Sequence, residues 1–246
     1  MEYTIEREQQ SWGRAYVIKG EDKLLKLPSV TTVLKLLKNP KLEALTKKLG
    51  PQRMELVLEN ASYRGTVMHS MLEIFLLEWD KQSPIDSCLR RAQEFAFQKN
   101  LDEPDKKKLI TIGKNLFWNF YYIEFWKEIK SVVENEIFLW TEFKGGWAGA
   151  CDFLFTDHND DLITIDFKSS SDLKEEDDIL NYKLQVSAYM FMAAEKYGKI
   201  PKRGEIWIAN ERTSDIQKFI VHDYEFKTYL KQFITLLGEF QLLYKL

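Results

Sequence analysis

Only two cysteines, Cys88 and Cys151, occur among the 246 residues. Two thiols cannot by themselves make a disulfide framework, a four-thiolate zinc site or an iron–sulfur cluster. Cys151 lies in an apolar, strand-like run and reads as a buried thiol, a usage that suits a reducing compartment. No apolar run reaches the roughly 18 residues of a membrane span, and the acidic start MEYTIEREQQ fits neither a secretory nor a mitochondrial leader. These absences predict a soluble, cytoplasmic protein. A basic surplus is missing too, since the net charge is −3. That value does not exclude a polyanionic partner, because a metal can neutralise carboxylates gathered in a site. No phosphate loop of the form G-x-x-x-x-G-K-[ST] is present, so ATP-driven work would fall to another protein.

Apolar side chains make up 45% of the chain, enough for one substantial core and too few for two. One domain, 1–246, is expected, composed of an amino-terminal hairpin (1–27), a helical region (28–131) and a core of sheet and helices (132–246). Charge is unevenly spread. Residues 1–60 hold 11 Lys/Arg against 8 Asp/Glu, whereas residues 131–246 hold 13 against 20. The amino-terminal part is therefore the expected handle for a polyanion.

Arg14–Ile18 and Lys23–Leu27 flank Lys19-Gly20-Glu21-Asp22, which reads as a hairpin. Ser29 is a good N-cap for a helix implied by Val30, Val33, Leu34 and Leu37, and Asn39-Pro40 interrupts it. A helix over 40–49, further helix from Met54 to Trp79, and helix throughout 84–131 follow from the spacing of apolar residues. The aromatic stripe from Phe117 to Trp126 reads as core rather than as a cofactor site. From Val132 the period becomes two, predicting strands near 132–143, 147–156 and 161–168. A helix over 177–197, strands near 204–210 and 216–221, and a helix from Asp223 complete an α/β (α+β) fold: a small mixed sheet flanked by helices.

The hairpin 147–168 carries the chemistry. A turn centred on Asn159 sets Phe153 opposite Ile165, Leu154 opposite Thr164 and Phe155 opposite Ile163, with Asp152 facing Asp166. The apolar pairs then share one face, and Asp152, Asp166 and Lys168 share the other. Two opposed carboxylates repel at cross-strand distance, so a cation is expected between them. Mg²⁺, held by one or two carboxylates together with water and phosphate, suits such a pair. A solvated ion pair of Asp166 with Lys168 is the plainer alternative. It fits poorly with Ile163-Thr164-Ile165-Asp166-Phe167-Lys168, whose content reads as a central, buried strand.

Gly149-Ala150-Cys151-Asp152, thirteen residues, then Asp166-Phe167-Lys168, resembles the G-x-x-D…D-x-K motif of PD-(D/E)xK nucleases of the RecB type. Arg64-Gly65-Thr66-Val67-Met68-His69 is similar to the upstream glycine-to-histidine motif of that branch, and Gln185-x-x-x-Tyr189 to its downstream helix motif. Arg14-x-Tyr16 with Pro28-Ser29-Val30-Thr31-Thr32-Val33-Leu34 resembles the leader of phage exonucleases and of mitochondrial genome-maintenance exonucleases. Together the motifs cover about residues 14–190.

The resemblance implies a restriction-endonuclease-like core and a Mg²⁺-dependent deoxyribonuclease, with Mn²⁺ as a substitute. Its catalytic residues would be His69, Asp152, Asp166 and Lys168, and its metal ligands His69, Asp152, Asp166 and the backbone carbonyl of Phe167. Lys168 would orient or deprotonate the attacking water and stabilise charge on phosphate. Gln185 and Tyr189 would hold the active-site strand or touch substrate, and Ser29, Thr31 and Thr32 would contact nucleic acid. Glu136 is a possible third carboxylate, subject to the turn at 144–146, and Glu73 a helix-surface or supporting residue. No iron–sulfur cluster is expected. The implied function is an exonuclease preferring single-stranded DNA ends in phage DNA replication, recombination or repair. It would act in the cytoplasm of the host, with a helicase or recombination protein as a partner and no membrane. A structure-selective endonuclease, or a DNA-binding relative without turnover, is the alternative.

Overall fold

The computed structural model describes residues 3–99 and 106–246. Its amino-terminal sheet has three antiparallel strands, β1 (Thr4–Gln10), β2 (Gly13–Lys19) and β3 (Leu24–Pro28), in that order. The expected hairpin is β2–β3, paired from Ala15↔Pro28 to Lys19↔Leu24. β1 was not anticipated, because its residues TIEREQQ are polar and largely exposed and give no alternating signal.

Ser29 caps the first helix as expected, its Oγ accepting from the Thr32 N–H, but α1 (Val30–Val33) is only one turn long. The chain tightens into a 3₁₀ turn over Leu34–Leu36, and Leu37 is already extended. Asn39 caps α2 (Pro40–Leu49) from Oδ1, with Pro40 in the first turn where its missing N–H costs nothing. α3 (Pro51–Asp80) is a single helix of 30 residues. Its first half is mostly exposed, and from Val67 onward Met68, Met71, Leu72, Phe75 and Leu76 are buried. The continuous helix expected over 84–131 is α4 (Ile85–Lys99), α5 (Lys107–Tyr122) and a 3₁₀ turn over Phe125–Glu128; the part of that expectation at 100–105 lies outside the described residues. Gly113 lets α5 approach α3, since a Cβ there would lie 2.6 Å from that of Val67.

The main sheet runs β4 (Ile129–Thr141), β5 (Trp147–Asp157), β6 (Leu162–Ser170), β7 (Arg203–Asn210), β8 (Ile216–His222). β4 begins three residues before its expected start. All neighbours are antiparallel except β6 and β7. A parallel pair needs a crossover, and α6 (Leu180–Tyr197) supplies it before α7 (Asp223–Tyr244) closes the chain. One face of the sheet, with Phe153, Phe155, Ile163, Ile165 and Phe167, packs on Phe75, Phe117 and Phe120 of α3 and α5. The other, with Leu154, Ile206 and Ile208, packs on Leu184, Met190, Phe233 and Leu237 of α6 and α7. The mixed α/β architecture is the one expected. Among the described residues no helix is long and apolar enough to cross a membrane.

Candidate active site

The register of β5 on β6 is the one the alternation predicts: Phe153↔Ile165, Leu154↔Thr164 and Phe155↔Ile163. The ladder stops there. Asp152 and Asp166 are not a ladder pair, because the Asp152 side chain takes the next position, Oδ2 accepting from the Phe167 N–H at 2.7 Å. This bond pins one carboxylate against the strand that carries the other.

Asp166 is 1% exposed and its Oδ2 pairs with the Lys168 ammonium, which also stands 5.4 Å from the centre of the Tyr182 ring. Burial pushes both aspartates up to about 6 even though Lys168 opposes the rise. Burial alone would lower Lys168; Asp166 and Asp152 outweigh it and hold the ammonium above its ordinary value. The trio thus carries two anions for one cation in a poorly solvated place, and each carboxylate resists ionisation without further positive charge.

His69 comes to this cluster from α3, its Nδ1 3.6 Å from Asp152 Oδ2 and its ring bonded to the backbone of Phe167. Burial and then Lys168 push the imidazole down to about 4, leaving a neutral ring with a lone pair to offer. Glu136 arrives from β4 with φ at +51°, a conformation that costs energy in a non-glycine residue. Although the residue is exposed, its carboxyl lines the cavity; desolvation first, then Asp152 and Glu73, push it up to about 8. One ligand atom from each of His69, Glu136 and Asp152 lies within 4.8 Å of the others. An imidazole with two carboxylates that disfavour their own charge is a donor set that fits a divalent cation. The sequence left Glu136 open, and its approach turns on a backbone conformation that the amino acid itself does not announce.

Gln185 and Tyr189 lie one turn apart on α6 and are buried. Gln185 Nε2 donates to Asp166 Oδ1 and to the Tyr189 hydroxyl, each at 3.1 Å. These bonds tie α6 to the Asp166 side chain of β6. Gly149 accommodates them, since a Cβ there would come within 2.7 Å of the Tyr189 ring.

All these side chains line one cavity of about 470 Å³, together with Glu73, Ser29 and Thr31. Thr32 does not reach it: its Oγ1 donates to the Arg14 carbonyl and accepts from Ser29 Oγ, so the hydroxyl serves the junction of β2 with α1. Ser29 is likewise engaged, accepting from the Thr32 N–H. The Phe167 ring points to the opposite face, edge-on to Phe120, leaving only its backbone at the site. Arg7, Arg14 and Tyr16 also line the cavity, with Arg7 5.7 Å from the Tyr16 ring centre. Arg14 belongs to the quoted leader motif, whereas Arg7 was not singled out, although β1–β2 pairing of Arg7 with Tyr16 places the two on one face.

The model of the PD-(D/E)XK nuclease superfamily matches residues 29–239, a span that includes every strand of the main sheet. The chain belongs to that superfamily. This nuclease superfamily member resembles two solved structures loosely. A candidate exonuclease from Eubacterium rectale is 16% identical, with a TM-score of 0.48 over 72% of this chain and 66% of that one. SSO0001 is 13% identical, with a TM-score of 0.38 over 61% of this chain and 70% of that one. The chain thus spans just under two thirds of the length of the Eubacterium rectale protein. No curated protein matches it significantly.

Proposed function

We propose that this nuclease is a divalent-metal-dependent deoxyribonuclease that hydrolyses phosphodiester bonds at single-stranded DNA ends. The observation that carries this reading is the convergence of His69, Asp152, Asp166 and Lys168 from α3, β5 and β6 on one cavity. His69 and Asp152, joined by Asp166 or Glu136, would hold Mg²⁺ or Mn²⁺. Such an ion supplies Lewis-acid polarisation of a phosphate and lowers the pKa of a bound water. Lys168, kept protonated by its two aspartates, offers a positive charge to a phosphate oxygen and a donor to orient the attacking water. Gln185 fixes the Asp166 carboxylate, and the Phe167 N–H fixes that of Asp152.

The preference for a single strand rests on the walls of the cavity. Arg7 and Arg14 bring cations, Arg7 acting on Glu136 and lying over the ring of Tyr16, which is itself buried against Phe138. α3 lines the same cavity with Ser62, Gly65 and Thr66, so the amino-terminal region takes part in the site. The resemblance of this leader to phage exonucleases supports a role in phage DNA replication, recombination or repair, where a helicase or recombination protein would supply opened strands. Labelled linear and covalently closed single-stranded DNA, incubated with the protein and Mg²⁺, test the reading. Degradation of the linear form alone is expected. Equal cutting of circles would make the enzyme an endonuclease, and cutting of neither would remove the proposed activity.

A further inference from the structure

Helix α5 places Lys107, Thr111, Lys114, Asn115, Trp118 and Tyr122 on one face. Lys107, Thr111, Asn115 and Tyr122 are exposed, and Lys114 and Trp118 are half-buried. The helix contains no Asp or Glu, and neither Lys107, Lys108 nor Lys114 has an ion-pair partner among the described residues. Lys107 and Lys108 stand in the first turn, where the helix dipole disfavours cations. Helix stability therefore does not account for them.

At the aromatic end of this face Trp118 packs with one side on the core, while Tyr122 stands outside it. Tyr122 is 71% exposed, yet its ring stacks on Trp118 at 5.6 Å with 23° between the planes. Tyr121 meets Trp118 edge-on at 5.2 Å and fixes it. Beside the pair opens a cavity of about 340 Å³, whose other wall is the β7–β8 turn with Arg212, Thr213 and Ser214. That turn is preformed: Asn210 Oδ1 accepts from the N–H groups of Arg212 and Thr213, at 2.8 and 3.1 Å. Asn119, buried on α5, donates to the Asn210 carbonyl at 3.0 Å and so fixes the turn to the helix. Glu211, in the same turn, pairs with Arg64 at 2.8 Å, and the neighbouring Gly65 lines the active-site cavity. One ion pair thus joins the walls of the two cavities.

We infer that this face of α5 is a second seat for the substrate strand, lysines meeting phosphates and one base stacking on the Trp118–Tyr122 pair. A flat aromatic platform with hydroxyls and amides around it accepts any base, and the cations favour a nucleic acid over a neutral peptide. The inference rests on the nuclease reading of the chain.

Binding of a fluorescent oligothymidylate in EDTA, followed by anisotropy, tests it without cleavage. Tyr122→Ala, at an exposed position, is expected to weaken binding about tenfold, within the range for loss of one stacked base. The double change of Lys107 and Lys114 to Ala should flatten the dependence of log affinity on log salt by about two phosphate contacts. Oligonucleotides carrying 5-iodouracil should photocrosslink to Trp118 or Tyr122. A protein that cuts DNA, yet binds it unchanged in both variants and crosslinks only at the active-site cavity, overturns the inference and leaves the nuclease reading intact. A protein that neither cuts nor binds the oligonucleotide removes both.

Discussion

Gln185 donates to Asp166 across 3.1 Å, from a helix to a strand, and Tyr189 accepts a second bond from the same amide. Because Asp166 Oδ2 is occupied by Lys168, this bond decides how Oδ1 is aimed. Gln185→Leu should therefore cost about 10–100-fold in activity or metal affinity, the usual consequence of losing a residue that orients a ligand. Tyr189→Phe, which keeps the ring and removes the acceptor, should cost less. Circular dichroism would establish that both variants fold, and full activity in Gln185→Leu would refute the orienting role.

Asp152→Asn and Asp166→Asn should each abolish cleavage, yet they should differ in stability. Asn at 152 can still accept the Phe167 N–H and removes a charge from a crowded site. Asn at 166 strips Lys168 of the carboxylate paired with it and leaves the buried cation only the more distant charge of Asp152. Metal-free Asp152→Asn should consequently melt higher than the unaltered protein, and Asp166→Asn lower.

The same carboxylates give a pH signature. Their folded-state values, about 6 against an ordinary 3.8, are raised, so the native state holds these protons more tightly than the unfolded chain. Their cost to stability is absent below about 4, grows through the window to 6 and is full above it. The melting advantage of Asp152→Asn in EDTA should be largest at neutral pH and shrink toward pH 4. An advantage that grows on acidification would contradict this electrostatic account.

Much of this site was readable in advance because strand alternation has a fixed period. The apolar pairs Phe153–Ile165 and Phe155–Ile163 set the register, and the register puts Asp152, Asp166 and Lys168 on one face. Position within a helix face likewise brought Gln185 and Tyr189 together. What escaped depended on conformations without a compositional mark. The ladder of β4 on β5 keeps one register from Thr141↔Trp147 through Ile137↔Cys151 to Asn135↔Phe153, so it was the length of the turn at 144–146, which sequence leaves uncertain by one residue, that kept Glu136 from being placed. β1 is an exposed edge strand, and α1 ends after one turn despite apolar spacing that continues to Leu37. Thr32 shared a motif with Thr31, but a one-turn helix points them to different sides.

Lys168→Ala should lower turnover by about 10²–10⁴-fold, the range for removing a group that positions or moves a proton. Metal affinity should hold or rise, because the ammonium competes with a metal for Asp166 and Asp152. Calorimetric titration with Mn²⁺ separates the two effects. Affinity that collapsed along with turnover would assign Lys168 to support of the metal site instead.

His69→Ala tests which metal the site prefers. The ring is neutral at physiological pH, since burial and Lys168 push it down to about 4, and it lies 3.6 Å from Asp152. An imidazole nitrogen suits Mn²⁺ better than Mg²⁺, whose habit is oxygen, so its loss should penalise Mn²⁺ more. Glu136, already within reach of the same cluster, would leave a mostly carboxylate site. The variant should therefore lose activity with both ions while its Mn²⁺-to-Mg²⁺ activity ratio falls. Glu136→Gln, which keeps the imidazole and removes an oxygen anion, should weaken both ions and shift the ratio the other way. Titration of metal-free protein with each ion gives the same comparison without turnover. Curves for His69→Ala that superimpose on those of the unaltered protein would place the imidazole outside the coordination sphere and return His69 to the role of a hydrogen-bonding partner for Phe167.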